Sequence, residues 1–393
     1  MSQPLTGVRV VELAEVMQGP LAAQVLGDYG AEVIKVERGE GDILRRLDRD
    51  AAAAGLMCPY FAAINRNKRS VGLNLKDSRG MEALHRLVDT ADVLIHSYRP
   101  DGVRRLGLAY DQIESRYPRL IYASASGWGD SGPLSHKAGQ DMLAQAMSGL
   151  ARAVASRNTF SYFNPTASVD FASGMSLAQG VLAALLERER TNRGQHVSIS
   201  LLDTAVSMQT MEAASLQMYD RELNWVQQWY TGVFATLDGA VAVLGLFREN
   251  ALALLCTSLG VSDLTDEPDL ATAGMQAANR ERINQYLAPT IAELTTAEAL
   301  RRFDSVDLLS SPVLSLREAL RHPQVESNGR LVDVVIPGQD PARLVGNPVS
   351  LSRQDTPPYY SVPLTGQDTN EVLAELGYET LEVSRLRGDG VIR

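Results

Sequence analysis

The chain has 393 residues, of which 45% are hydrophobic and 21% charged, the balance of an ordinary globular protein. Its net charge of -10, from 37 basic and 47 acidic side chains, argues against a general nucleic-acid binder. The two cysteines, Cys58 and Cys256, show no metal-ligand spacing and suit a reducing compartment. The N-terminal MSQPLTGVRVVEL lacks a signal-peptide pattern, and no apolar run reaches the about 20 residues of a membrane helix. We therefore expect a soluble cytoplasmic protein.

The first half of the chain alternates between β-branched runs and helical patterns. Strands are predicted at residues 7–13, 31–37, 70–75, 92–98, 119–126 and 196–201, with helical patterns at 20–29, 78–91 and 110–117. Such alternation predicts an α/β fold with a doubly wound parallel sheet. The first strand is followed by AEVMQGP, with no GxGxxG, and no GxxxxGK[ST] occurs, which argues against ordinary dinucleotide and P-loop sites.

From about residue 225 the pattern changes. The run 234–246, FATLDGAVAVLGL, predicts two strands joined at Asp238-Gly239, and helices are predicted at 248–259, 280–294 and 296–303. We interpret residues 225–325 as a smaller second domain. The tail has a strand-like piece at 331–336 and a helix at 370–376.

Carboxylates are the best candidates for reactive groups. The five histidines fit neither a metal site nor a Ser-His pair, and GxSxG is absent. Asp170 stands before a long helical pattern with apolar residues at steps of three and four. There it is either an N-cap, held by backbone amides and by a helix dipole that favours its ionised form, or a nucleophile. This stretch alone favours the cap.

Basic side chains gather near the predicted strand ends. They are Arg38, the run NRNKRS at 65–70, Lys76, Arg99, Arg104 and Arg105. Ligands of open α/β sheets bind at the carboxyl ends of strands, and guanidinium groups match phosphate oxygens. Taken singly, each of these basic residues is explained by an ordinary solvated surface charge as well as by phosphate binding. Their convergence indicates a polyphosphate pocket.

Several segments, in matching order from Pro4 to about Leu376, resemble the family III coenzyme A transferases. They are LTGVRVVELAEVMQGPLAAQVLGDYGAEVIKVER, NRNKRSVGLNLK, GQDMLAQAMSGL, SVDFASGM, LAALLERERTNRGQHVSISLLD and TNEVLAELGY. The resemblance implies a Rossmann-like large domain built from both chain ends, 1–224 and 326–393, and a small α+β domain, 225–325. It also implies a homodimer of interlocked, ring-like subunits. The implied substrates are an acyl-CoA donor and a carboxylic acid acceptor, with no permanently bound cofactor, nucleic acid or membrane partner.

The resemblance also assigns residues. Asp170 matches the catalytic aspartate, which forms a mixed anhydride with the donor acyl group and then an aspartyl-CoA thioester. The matching CoA-binding positions are Val16, Met17, Gln18, Arg38, Leu73, Lys76, Ser97, Tyr98, Gly102, Arg105, Gln140 and Leu201. Lys137 lies within one position of a basic residue that the family often carries there.

Departures from the family pattern bear on the substrate. Members that act on formyl-CoA and oxalate carry glycines where this chain has GLFREN at 245–250, so a different acid is expected. Many members have a tyrosine in place of Gln140, so the contacts around the acyl group differ here. The family favours succinyl-CoA as donor and a small dicarboxylic acid as acceptor, with Arg248 or Arg66 as candidate partner of a remote carboxylate.

Two other functions stay open. The same fold hosts 2-methylacyl-CoA racemases, which need a second base, a histidine directly before an aspartate. This chain has Gln140-Asp141 there, and glutamine is not a base at neutral pH. The third reading is a CoA-binding protein without turnover, against which Asp170 and the small residues after it, Ala172, Ser173 and Gly174, argue.

Overall fold

The computed structural model describes residues 3–153, 163–225, 230–245, 247–353 and 360–393. The chain forms two compact units, which we call the large unit (residues 1–209 and 330–393) and the small unit (residues 210–329). The sequence-based domain ranges place the two boundaries after residues 224 and 325 instead.

A six-stranded parallel sheet forms the centre of the large unit. Its strands are β1 (Arg9–Leu13), β2 (Glu32–Glu37), β3 (Lys68–Gly72), β4 (Val93–His96), β5 (Ile121–Ser126) and β6 (His196–Ser200). Their order is β3-β2-β1-β4-β5-β6, and every neighbouring pair is parallel. The chain therefore winds outward in both directions from β1 and β4, as doubly wound folds do. The predicted α/β class with a parallel sheet is confirmed.

Helices cover both faces of this sheet. They are α1 (Gln18–Asp28), α2 (Arg49–Ala53), α3 (Pro59–Ile64), α4 (Ser78–Val88), α5 (Pro100–Arg105), α6 (Tyr110–Ile113), α7 (Asp141–Met147), α8 (Leu150–Ala153), α9 (Ser168–Thr191) and α10 (Leu201–Ser207). One apolar cluster joins α1 and α9 to one face, and a second joins α4 to the other. Such two-sided burial explains why a central strand such as β4, VLIH, is mostly apolar.

Helix α9 is long and apolar enough, by length and composition, to cross a membrane. Its Leu177, Val181 and Leu185 are buried in the cluster that α9 shares with α1 and the sheet. Gly174 permits close contact with α1, because a Cβ there would lie 2.8 Å from the carbonyl oxygen of Gln18. The helix thus has the packing of a core helix.

The small unit contains an antiparallel sheet and its own apolar core. After α11 (Thr210–Tyr219), β7 (Thr231–Ala235) and β8 (Ala240–Leu244) form the predicted hairpin, and β9 (Leu309–Pro312) pairs with β8. Residue 246, at the end of the predicted hairpin, lies outside the described residues. The remaining helices are α12 (Ala251–Leu259), α13 (Ala273–Ala278), α14 (Arg280–Ala292), α15 (Thr296–Asp304), α16 (Leu316–Ala319) and α17 (Pro323–Ser327).

The C-terminal segment belongs to the large unit. It contains β10 (Leu331–Val335), β11 (Ala342–Val345), β12 (Tyr360–Ser361), α18 (Thr369–Glu375) and α19 (Thr380–Gly388). Asp368 and Thr369 accept the backbone N–H groups of Ser70 and Gly72, and Leu73 bridges to Ile392. Both ends of the chain therefore build this unit.

Candidate active site

The predicted CoA-binding residues all follow carboxyl ends of the parallel strands. Val16, Met17 and Gln18 follow β1, Arg38 follows β2, Leu73 and Lys76 follow β3, Ser97, Tyr98, Gly102 and Arg105 follow β4, Lys137 and Gln140 follow β5, and Leu201 follows β6. Because the strands are parallel, these segments leave the sheet at one edge. The fold thus collects residues that lie far apart in sequence.

The loops after β1 and β4 meet where the winding direction reverses. Such a switch point is the usual ligand crevice of an open α/β sheet. The N–H of Glu15 donates to Ser97 Oγ at 3.1 Å, which ties the two loops together. Arg38, on the neighbouring loop, pairs with Glu15 at 2.6 Å and is 68% exposed. This guanidinium still faces solvent beside the crevice.

The other predicted contacts differ in exposure. Lys76, Arg105 and Lys137 are exposed, and within the described residues no carboxylate pairs with them, so they present positive charge to solvent. Leu73 and Leu201 are instead buried in apolar clusters. Gln140 is exposed and its side chain makes no cap hydrogen bond at the start of α7.

Asp170 is not the N-cap of the central helix, and the prediction that it caps α9 is wrong. The helix begins at Ser168 with Ala167 as N-cap, which places Asp170 in the first turn. Asp141 supplies the cap from another helix, since its Oδ2 accepts the N–H groups of Val169 at 2.8 Å and Asp170 at 2.9 Å. Asp141 is buried, and Gln145 donates to its other oxygen. The backbone thus needs nothing from the Asp170 side chain.

The Asp170 carboxylate is half-buried, and no group of the described residues hydrogen-bonds to it. Burial raises its pKa to about 6, and the negative charge of Asp141 adds to the increase. The net shift of the pKa is therefore opposite to the one expected from the helix start alone, because burial and the charge of Asp141 dominate. At neutral pH the group is still ionised, but it is a more basic carboxylate than an exposed one.

The start of α1 lies beside the start of α9. Gln18 Nε2 donates to Ser173 Oγ, one turn after Asp170. No side chain caps α1, and no acceptor within the described residues binds the N–H groups of Gln18 and Gly19. These amides, at the positive end of an 11-residue helix, suit a developing oxyanion.

Of the two suggested carboxylate receptors, the structure contradicts Arg66. It is 2% exposed and forms a buried ion pair with Asp28, so it is not available to a substrate. Arg248, in the small unit, forms an exposed ion pair with Asp307, and its role as a receptor stays a prediction. No set of three or more His, Cys, Asp or Glu in the described part of the chain is placed to hold a metal ion.

The sequence reasoning missed Asp141. Its only signal was the GQDMLAQAMSGL segment, in which the aspartate follows Gln140. The capping contact spans 29 positions, and no local helix signal indicates it.

The comparisons with known proteins cover nearly the whole chain. The model of CoA-transferase family III matches residues 5–369. A succinyl-CoA:glutarate CoA-transferase of Mus musculus is 33% identical over 99% of this chain and 90% of its own length. A formyl-CoA:oxalate CoA-transferase of Escherichia coli O157:H7 is 29% identical over the full length of both chains. A CAIB/BAIF family protein from Brucella suis has a solved structure with a TM-score of 0.86 at 27% identity, covering 96% of this chain and 100% of that one.

Proposed function

The chain belongs to CoA-transferase family III and is a CoA-transferase, and from that premise we propose that Asp170 carries CoA between two acids by covalent catalysis. The observation that carries the proposal is the state of its carboxylate. It is half-buried, has no hydrogen-bond partner among the described residues, is more basic than usual, and is close to the free amides of α1. A nucleophilic carboxylate needs accessibility, basicity and nearby oxyanion donors.

The reaction balances without an external base. An Asp170 oxygen attacks the thioester carbonyl of the donor, the C–S bond breaks, and a mixed anhydride and CoA thiolate form. The thiolate attacks the aspartyl carbonyl and expels the donor acid, which leaves an aspartyl-CoA thioester. The acceptor carboxylate then attacks the carbonyl of the aspartyl-CoA thioester, which releases CoA thiolate and forms a second mixed anhydride. The thiolate attacks the acceptor carbonyl of this anhydride, so the acceptor leaves as its CoA ester and the Asp170 carboxylate is restored. No net proton is taken up or released, so a single carboxylate suffices.

The exposed cations at the sheet edge fit the phosphates of CoA. Arg38, Lys76, Arg105 and Lys137 lie in the segments that follow four different strands at that edge. Gln18, which follows Val16 and Met17, contacts Ser173 near the start of α9, where the thioester would react. The remaining proposed contacts are Leu73, Ser97, Tyr98, Gly102, Gln140 and Leu201. At Leu73 and Leu201 the side chain is buried, which leaves the backbone for binding.

We propose succinyl-CoA as donor and a small dicarboxylic acid as acceptor. The support comes from the mouse relative, whose name states succinyl-CoA and glutarate. The relative named for formyl-CoA and oxalate is similar over its full length, so the acid has to be measured. An acceptor panel with succinyl-CoA, read by mass spectrometry of the CoA esters, identifies it.

Variants of Asp170 test the mechanism. Asp170→Ala is expected to lower transfer by about 10³-fold or more, because no other group replaces the nucleophile. Asp203→Asn is the matched control, since Asp203 also lies in the first turn of a large-unit helix. Hydroxylamine added during turnover should convert Asp170 to a hydroxamate in the wild type and the control. Transfer at the wild-type rate by Asp170→Ala would refute covalent catalysis.

We further propose a homodimer of interlocked subunits. Helix α11 has no buried residue, and its large side chains Met211, Leu216, Met218 and Tyr219 are exposed. Met142, Leu143 and Met147 on α7 are exposed as well. A second copy would cover such surfaces. Light scattering should give the dimer mass, and tagged and untagged subunits should not exchange until they are unfolded. A monomer, or free exchange, would overturn the proposal.

A cytoplasmic location fits the two reduced cysteines, both of them buried. Fractionation of cells carrying a tagged chain tests it, and recovery outside the cytoplasm would contradict it.

A further inference from the structure

A cluster of buried charges lies directly beneath the loop that joins β1 to α1. Lys35 Nζ contacts Glu12 at 2.7 Å and Asp42 at 3.0 Å, and Lys68 Nζ contacts the other Glu12 oxygen at 2.7 Å. The exposed fraction of all four side chains is 1% or less. Two ammonium groups balance two carboxylates, so the cluster is neutral. We call these four residues the buried charge cluster.

Both ends of the loop are held by this cluster. Lys35 donates to the carbonyl oxygen of Ala14 at 2.8 Å, where the loop begins. Lys68 donates to the carbonyl oxygen of Pro20 at 2.8 Å, in the first turn of α1. Asp42 accepts the N–H of Val16 at 3.4 Å, between those points. Three separate contacts thus fix a stretch of seven residues, 14–20.

The stretch has a strained backbone. Val16 has a φ of 69°, in the left-handed region, where a β-branched residue is a true outlier. Such a conformation costs about 1–3 kcal/mol and persists only where the surroundings hold it. The strain lies two residues before Gln18, whose amide is free and whose side chain reaches Ser173 on α9.

The cluster is an expensive means of stabilising a fold. Removing charges from water costs several kcal/mol per ion, and apolar residues of similar volume often stabilise a core as well or better. What the cluster provides is directional hydrogen bonds to two loop carbonyls and one loop amide. Apolar side chains offer none of these.

We infer that the buried charge cluster, through Lys35, is the positioning device that holds the strained loop and its free amides in place for CoA transfer. This inference rests on the proposed function, because it assumes that the start of α1 takes part in the reaction. Lys35 is a positioning residue, since no solvent or substrate reaches it.

The double variant Lys35→Met/Asp42→Asn tests the inference. It keeps Glu12 balanced by Lys68, and the asparagine oxygen still accepts the Val16 N–H, but the Ala14 carbonyl loses its partner. The matched control is Arg66→Met/Asp28→Asn, which also neutralises a buried ion pair of the large unit. Loss of stability alone should affect both variants, whereas loss of positioning should affect only the first.

Two measurements are made on each full-length variant. Hydrogen exchange of the peptide covering residues 13–19, in the enzyme without substrate, should accelerate about tenfold or more in the first variant only. The kcat of CoA transfer should fall about 10- to 100-fold in that variant, with KM for the acyl-CoA changed less than threefold. The control should retain the wild-type exchange in this peptide and a kcat within twofold.

Unchanged exchange in residues 13–19 overturns the inference, as does faster exchange with wild-type kcat, or equal effects in both variants. The exchange arm does not depend on the reaction mechanism. If Asp170→Ala kept its activity, the covalent proposal would fail, while the ratio of kcat between the two double variants would still judge the role of Lys35.

Discussion

The carboxylate of Asp141 accepts the backbone N–H of Asp170 at 2.9 Å. The first turn of α9 therefore contains one aspartate, Asp170, and is capped by another, Asp141. Their environments differ. Asp141 is buried and hydrogen-bonded on both oxygens, whereas Asp170 is half-buried with no partner in the described part of the chain. Carboxylates placed so differently separate into a structural anion and a reactive one. Burial, and after it the negative charge of Asp141, raise the pKa of the Asp170 carboxylate, the proposed nucleophile.

The rate of CoA transfer should depend on pH through Asp170. Its pKa is raised to about 6, and the ionised form is the nucleophile, so kcat/KM for the acyl-CoA should fall as the pH drops through about 6. Asp141→Asn keeps an oxygen for the two amides but removes the charge, so its midpoint should lie lower than in the wild type. Profiles between pH 4.5 and 8 measure both.

The control for this profile is Asp203→Asn, which leaves the charge near Asp170 unchanged and should keep the wild-type midpoint. A wild-type rate that stays flat down to pH 4.5, or an Asp141→Asn midpoint equal to that of the wild type, would contradict the assignment.

Neutralising the nucleophile should stabilise the fold. Because the folded-state pKa of Asp170 lies above its ordinary value of 3.8, the folded state binds the proton more tightly, and stability falls as the pH rises between these values. Asp170→Asn removes this penalty, so its free energy of unfolding should exceed that of the wild type at pH 7–8 by on the order of 1–2 kcal/mol. The gain should fade as the pH falls from about 6 towards 3.8. Urea titrations at pH 8 and pH 5 test this, and a gain independent of pH would refute the cause given.

The alternation of strands and helices was predictable because β-branched and other apolar residues concentrate in the strands, and the longer helices show apolar residues at steps of three and four. The position of the switch point could not be predicted from the strand or helix patterns. Strand order depends on contacts between distant residues, such as that of Glu15 with Ser97, 82 positions apart. Asp170 was identified through the family resemblance, while its position within the helix was misjudged by local capping rules. The cap came from Asp141, which no local pattern indicates. Arg66 was misjudged for a similar reason, because its partner Asp28 lies 38 positions away.

Close contact between α1 and α9 should be required at Gly174. A Cβ there would lie 2.8 Å from the Gln18 carbonyl oxygen and 3.0 Å from Leu21 Cβ, so backbone must move. Gly174→Ala should lower the free energy of unfolding by about 1–3 kcal/mol and reduce kcat, because Gln18 shifts relative to α9. Gly180→Ala, in the same helix, meets only a Val197 methyl group at 2.8 Å, and better helix propensity offsets part of its cost. Equal losses in the two variants, measured by thermal unfolding and steady-state kinetics, would argue against this contact as the cause.

The enzyme should not invert the configuration of the α-carbon of its substrates. Racemisation needs a base on each face of the α-carbon. The residue in the position of the second base is Gln140, and the adjacent Asp141 is buried and committed to the amides of Val169 and Asp170. Asp170 alone supplies one base, which can capture an acyl group but cannot invert a centre. A single enantiomer of a 2-methylacyl-CoA incubated with the enzyme in deuterium oxide should therefore keep its configuration over times in which CoA transfer is complete, and no inverted, deuterated enantiomer should form. Inversion in the wild type that is lost in Asp170→Ala would mean that the site racemises its substrate, and the racemase alternative would replace the one proposed here.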